Sequence, residues 1–234
     1  MKKFRKKLDD YLGEFVYGGI DGIVTTFAVV SASVGSKQPI AVVIILGFAN
    51  LVADGLSMGV SAYLSTKSER EVYEREKASV EKALGNAKKE QELVKRIYKR
   101  RGFSGKLLDD IVKMIHKDPE HFVDVVMREE KEMLPEDKTP FAMGLVTYVS
   151  FILVGLVPLL SYLAYQVFGL NTSSDALFIA SSVLAALSFA GIGLLKGIIT
   201  EGNRIKAVLE TVGLGVIAAS AAYLLGFLLE RVIS

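Results

Sequence analysis

The stretch YGGIDGIVTTFAVVSASVG, Tyr17 to Gly35, carries a single charged residue, Asp21. Its length and apolar character match a helix that crosses a bilayer, for which about 20 residues are needed. A carboxylate inside such a span costs about 3 kcal/mol by insertion scales and is normally found facing a pathway or a partner cation. The run ends in no small-residue cleavage site and holds an acid, so it reads as a retained span and not as a signal peptide.

The rest of the chain has the same character. Half of its 234 residues are hydrophobic, at 51%, and the mean hydropathy is +0.38. The charges are segregated: Lys67 to Lys138 holds 17 of the 26 acidic and 18 of the 28 basic residues. That division predicts an all-α membrane protein with one large soluble insertion. Five spans are expected, at about Phe15–Gly35, Ile40–Leu64, Phe141–Phe168 with Pro158 interrupting it, Ala176–Thr200 and Ala207–Leu229. The expected organisation is residues 1–66 for the N-terminal tail and spans one and two, 67–138 for a helical insertion, and 139–234 for spans three to five.

Lys and Arg set the expected orientation. The tail MKKFRKK has five positive residues, and Lys196, Arg204 and Lys206 lie at and after the end of span four. The opposite short loops, SKQP and GLNTSSD, offer only Lys37. The N-terminus and the insertion are therefore expected in the cytoplasm and the C-terminus on the other side of a multi-pass protein.

The insertion reads as helices. Span two runs into STKSEREVYEREKASVEKALG with no breaker before Gly85. A second helix is expected from the N-cap Asn86 to about Arg101, and a third from Ser104 to about Lys117 with Leu107, Leu108, Ile111, Val112 and Ile115 on one face. A fourth, with Pro119 at its first position, is expected to run to about Leu134.

Composition excludes several functions. There is no cysteine, hence no disulfide, thiolate metal site or cysteine nucleophile. A net charge of +2 gives no bulk attraction to nucleic acid. No histidine cluster, nucleophile motif or cofactor fingerprint supports an enzyme, and no permanent cofactor is expected.

The polar residues of the spans point to a cation. In NLVADGLSMGVSAYLS, Asn50, Asp54 and Met58 recur every fourth residue and form one helical stripe. With Asp21 they supply two carboxylates, an amide oxygen and a thioether, a set that suits a transition dication such as Fe²⁺ better than Mg²⁺ or Ca²⁺. Glu14, just before span one, is a candidate for guiding entry. Five spans are few to enclose a polar path, so a homodimer pooling two copies of spans one and two is expected. Small residues in YGGIDG, FAGIGLLKG and VGLGVIAASAA allow close packing in lipid. In the insertion, Glu71 pairs with Glu74 and Glu129 with Glu132 at helical spacing, Glu81 shares a face with Glu74, Glu90 and Glu92 follow on the next helix, and Met127 and Met133 flank the last cluster. Spacing alone favours a solvated, salt-bridged face for these acids, because Lys and Arg are interleaved throughout. His116 and His121 read as incidental.

Taken together, YGGIDGIVTTFAVVSASVG, GFANLVADGLSMGVSAYLSTKSERE, YVSFILVGLVPLL and LETVGLGVIAASAAYLLGFLL resemble spans one, two, three and five of the vacuolar iron transporter family. The resemblance implies a five-span homodimer that moves Fe²⁺, and Mn²⁺ or related ions, out of the cytosol in exchange for protons, through a path at the subunit interface. It implies that Asp21 and Met58 are pathway residues and metal ligands. It also implies that a cytoplasmic helical domain collects metal through glutamates and a methionine, here Glu71, Glu74, Glu81, Glu92, Met127, Glu129, Glu130 and Glu132. The pattern is incomplete: Ala78 and Lys89 stand three residues before Glu81 and Glu92 where the family pattern has glutamates. The alternative function is a membrane-anchored metal sensor or binding protein without transport.

Overall fold

The computed structural model describes residues 2–135, 137–169 and 171–233, and for residues 2–10 the backbone alone. Among these residues there is no strand. The helices are α1 (Lys2–Gly35), α2 (Ile40–Lys82), α3 (Ala87–Arg100), α4 (Gly105–His116), α5 (Pro119–Glu129), α6 (Pro140–Gly155), α7 (Leu160–Phe168), α8 (Ser174–Ile199) and α9 (Arg204–Ile233). Five segments are long and apolar enough to cross a membrane: Tyr11–Gly35, Ile40–Lys82, Pro140–Phe168, Ser174–Ile199 and Arg204–Ile233. The tail expected before span one is helical from Lys2, continuous with that span.

The chain divides into two compact units, Met1–Leu64 with Lys138–Ser234, and Ser65–Asp137. In the first, α1 packs against α6, α8 and α9. Its core joins Ile23, Phe27 and Val30 of α1 to Leu51 of α2, Phe151 of α6, Tyr162 of α7 and Phe189 of α8. Many other large apolar side chains face outward, among them Val52, Leu56 and Val60 of α2 and Ile217, Leu224 and Leu228 of α9. That is the distribution required when the surroundings are lipid, where apolar surface gains nothing by turning inward.

Glycines bring the backbones together. A Cβ on Gly18 would lie 2.6 Å from the Thr147 carbonyl oxygen, one on Gly155 would lie 2.7 Å from that of Gly22, and one on Gly22 would strike the Phe151 carbonyl oxygen. α1 and α6 therefore cross at backbone contact. Near its other end, Gly35 meets the Tyr223 carbonyl and Gly226 of α9 meets that of Ala32. Pro158 interrupts span three as expected: Val157–Leu159 form a 3-10 turn between α6 and α7. The Pro158 carbonyl finds a partner in the Ser181 hydroxyl at 2.7 Å.

The second unit is a small helical core of Val80, Val94, Ile97, Leu108, Val112, Ile115, Phe122, Val123, Val126 and Met127. Its helix starts are capped locally: Asn86 accepts from the Lys89 amide, and Asp118 from those of Glu120 and His121. Two expectations are corrected here. Leu107 is 59% exposed, because the buried face of α4 runs through Leu108, Val112 and Ile115. α5 ends at Glu129, not near Leu134; Met133 folds back to bond the Met127 carbonyl at 2.8 Å, with Glu132 in the left-handed region at φ 54°.

Candidate functional site

Where each polar side chain of the membrane spans sits follows from the glycine contacts. On α2, Gly47, Leu51, Gly55 and Gly59 form the buried stripe. A Cβ at Gly47 would lie 2.6 Å from Leu159, at Gly55 3.2 Å from the Phe151 ring, and at Gly59 3.0 Å from the Gly144 carbonyl oxygen. Asn50, Asp54 and Met58 each lie three residues beyond a member of that stripe. They therefore sit at the edge of the contact, half-buried. On α1, Asp21 precedes the contact residue Gly22 and is half-buried for the same reason. Gly155 touches both Gly22 and Leu51, so α1, α2 and α6 meet at one level, beside Asp21 and Asp54.

The electrostatics of this edge are unusual for a membrane span. Asp21, next to Gly22, and Asp54, one turn from Leu51, flank the crossing where Gly155 touches both Gly22 and Leu51. Among the described residues, neither carboxylate has a hydrogen bond or an ion pair. Thr25, four residues after Asp21, spends its hydroxyl on the Asp21 backbone carbonyl at 2.9 Å and leaves the carboxylate alone. The Asn50 amide nitrogen is buried without an acceptor. Met58 packs against the core of the first unit with its side chain half-buried. Two like charges in apolar surroundings are a place for a cation or for protons, since either lowers the repulsion between the carboxylates. Lys196, in the last turn of α8, is engaged elsewhere, 3.2 Å from Glu210.

Glu14 is not free at the mouth of span one. Its carboxylate accepts a hydrogen bond at 3.0 Å from the hydroxyl of Thr147, a fully buried residue of α6. Nothing in the spacing of either residue announced that contact, because it joins positions far apart in sequence.

The acids of the insertion are mostly taken. Arg101 holds Glu129; Arg96, at 3.1 Å, and Arg100 both hold Glu130. Lys67 and Lys77 lie 3.7 and 3.9 Å from Glu71 and Glu81, one turn away on α2. Glu74, Glu92 and Glu132 are exposed and make no ion pair among the described residues. Met127 is only 1% exposed and belongs to the apolar core. No group of three or more His, Cys, Asp or Glu side chains close enough to hold a metal occurs among the described residues. His116 has a partner that the sequence did not suggest: its Nδ1 lies 2.9 Å from the Glu90 carboxylate, without good hydrogen-bond alignment. Glu90 in turn accepts from the Gly85 amide at 2.8 Å. Lys131 and Arg75 hold the carboxyl of Glu76, on α2, below its ordinary range, chiefly through the Lys131 hydrogen bond.

The chain is similar to known proteins over most of its length. The model of the VIT family matches residues 12–227. The chain is 32% identical to a protein of Toxoplasma gondii named vacuolar iron transporter, over 96% of this chain and 76% of that one. It is also 32% identical to the vacuolar iron transporter of Plasmodium falciparum, over 96% and 84% of the two chains. With vacuolar iron transporter 1 of Arabidopsis thaliana the identity is 27%, over 93% and 86%.

Proposed function

The chain belongs to the VIT family, and from that membership we propose that it exports Fe²⁺, and Mn²⁺ or related dications, from the cytosol in exchange for protons. It is a transporter and not an enzyme. The observation that carries the reading is the pair Asp21 and Asp54, on two membrane-spanning helices, with no ion pair to either among the described residues.

In this mechanism the two carboxylates alternate between holding metal and holding protons. A dication displaces protons from its ligands, so the two compete for one place. Either occupant relieves the cost of bare charge in the bilayer, which is why Asp21 is tolerated there. Asn50 adds an amide oxygen. Met58 adds a soft donor, which favours Fe²⁺ over harder ions. Exposure of the site to a more acidic side reloads the protons and releases the metal.

The half-buried stripe of Asp21, Asn50, Asp54 and Met58 is only half covered by its own chain. That supports a homodimer in which a second copy faces the stripe across the path. The charge of the loops supports a cytoplasmic N-terminus and insertion, with the C-terminus on the other side. In this scheme residues 67–138 act as a cytoplasmic collector, with Glu74, Glu92 and Glu132 as the acids open to metal and the paired glutamates as a weaker reserve.

Reconstitution into sealed vesicles tests the reading. Metal added to one side should drive metal influx and a stoichiometric proton flux in the opposite direction, with Fe²⁺ preferred in a panel of ions. Metal binding with no flux of either kind would make the chain a membrane-anchored metal-binding protein.

A further inference from the structure

We propose that Thr147 is a positioning residue for Glu14, holding that carboxylate at the entrance whether it is charged or protonated. The inference rests on the transport reading for what Glu14 does, and on the geometry of α1 and α6 for how it is held.

The contact is built by the backbone. Gly18 lies one turn after Glu14 on the same face of α1, and a Cβ there would lie 2.6 Å from the Thr147 carbonyl oxygen. Only a residue without a side chain lets α1 approach α6 closely enough for Glu14 to reach Thr147. The Thr147 hydroxyl has two acceptors in range, the Glu14 carboxylate at 3.0 Å and the Met143 carbonyl of its own helix at 2.9 Å. A hydroxyl has one proton to donate and two lone pairs with which to accept.

Three states follow. With Glu14 charged, the hydroxyl donates to it. With Glu14 protonated, the hydroxyl turns to Met143 and accepts the proton of the acid. With Glu14 drawn away by a passing dication, the hydroxyl still has Met143, so no buried polar group is stranded. A carboxylate that guides a dication inward needs a holder of this kind. A lysine or arginine in the same place would oppose both the metal and the proton. Ser150 does not compete, because its hydroxyl is spent on the Thr147 carbonyl at 3.0 Å.

The test uses the full chain in vesicles, with Fe²⁺ or Mn²⁺ flux measured against concentration. Thr147→Val keeps the shape and removes the hydroxyl; the Met143 carbonyl keeps its helical amide partner. It should raise the apparent KM about tenfold, as loss of a supporting partner typically does, with maximal flux unchanged. Thr147→Ser should restore the wild-type KM. Glu14→Gln should show a similar rise, and Glu14→Gln with Thr147→Val should be no worse than Glu14→Gln alone. An unchanged KM in Thr147→Val, equal behaviour of the Ser and Val variants, or additive effects in the double variant would each overturn the proposal. An inert wild-type chain would remove the transport reading instead. In that case infrared spectroscopy of the solubilised protein decides: the carboxylate band that Glu14→Gln deletes should shift in Thr147→Val and return in Thr147→Ser, and a band indifferent to both ends the proposal.

Discussion

Asp21 and Asp54 lie on apolar helices and make no ion pair among the described residues, whereas Glu129 at the end of α5 and Glu130 just after it are held by three arginines. The same functional group is treated in opposite ways. Glu129 and Glu130, where water would make an unpaired carboxylate cheap, have partners; Asp21 and Asp54, where lipid makes it costly, have none among the described residues. Exposed pairs gain little, because solvent already screens the charges. Unpaired acids in a span are a standing cost, and they persist only where something other than folding needs them. In the proposed function, the difference separates residues that serve the fold from residues that serve a cargo.

Asp21→Asn breaks the comparison most directly. It should lower metal flux by more than about 100-fold, beyond the usual loss for a supporting residue, while the protein stays folded and inserts as well as before. Flux in reconstituted vesicles beside a melting curve of the purified protein checks both halves. Near-normal flux would make Asp21 an ordinary buried acid.

Gly22→Ala tests the neighbouring position from the side of packing. The new Cβ must push on the Phe151 carbonyl, and overpacking of this kind costs about 1–3 kcal/mol. Its melting temperature should fall clearly, whereas Gly13→Ala, with open space around it, should not fall.

Within the insertion, the paired and unpaired acids should part company. Glu74→Gln with Glu92→Gln should weaken metal capture a few-fold, read as a rise in apparent KM at unchanged maximal flux. Glu129→Gln with Glu130→Gln should lower the stability of the helical unit instead, read by its unfolding in urea. If the second pair weakens capture more than the first, the arginines are counter-ions that metal displaces.

The smallest effect concerns Glu76. Its carboxyl is held below the ordinary value of 4.5, chiefly by Lys131. A depressed carboxyl contributes stability that is complete above its unfolded value and is lost as pH falls through the folded one. Lys131→Gln should therefore be less stable than wild type at neutral pH, and the gap should close below pH 4.5. Unfolding curves over that range give the answer, and a gap independent of pH would assign Lys131 to packing.

Much of this was legible in the sequence. The spans, the break at Pro158 and the helix starts at Asn86 and Asp118 follow from composition, proline and capping, which act within a few residues. The stripe of Asn50, Asp54 and Met58 follows from helical period. What escaped was the pairing of distant residues. Glu14 with Thr147 and Glu130 with Arg100 depend on how helices cross, and interleaved charges give no sign of who meets whom. His116 looked incidental because its partner, Glu90, lies on another helix. The early end of α5 escaped for a related reason: the return of Met133 onto the Met127 carbonyl is a backbone contact that no residue preference encodes.

The glycine crossings also set the mechanics of the bundle. A helix can ratchet past a neighbour by one turn, about 5.4 Å, when side chains interlock loosely. α1 lacks that freedom. Shifted one turn either way, it would press Thr26 onto the Phe151 carbonyl or Glu14 onto that of Thr147. With Gly35 and Gly226 clamping its far end to α9, α1 works as a fixed strut, and whatever alternately opens the path to either side has to move around it.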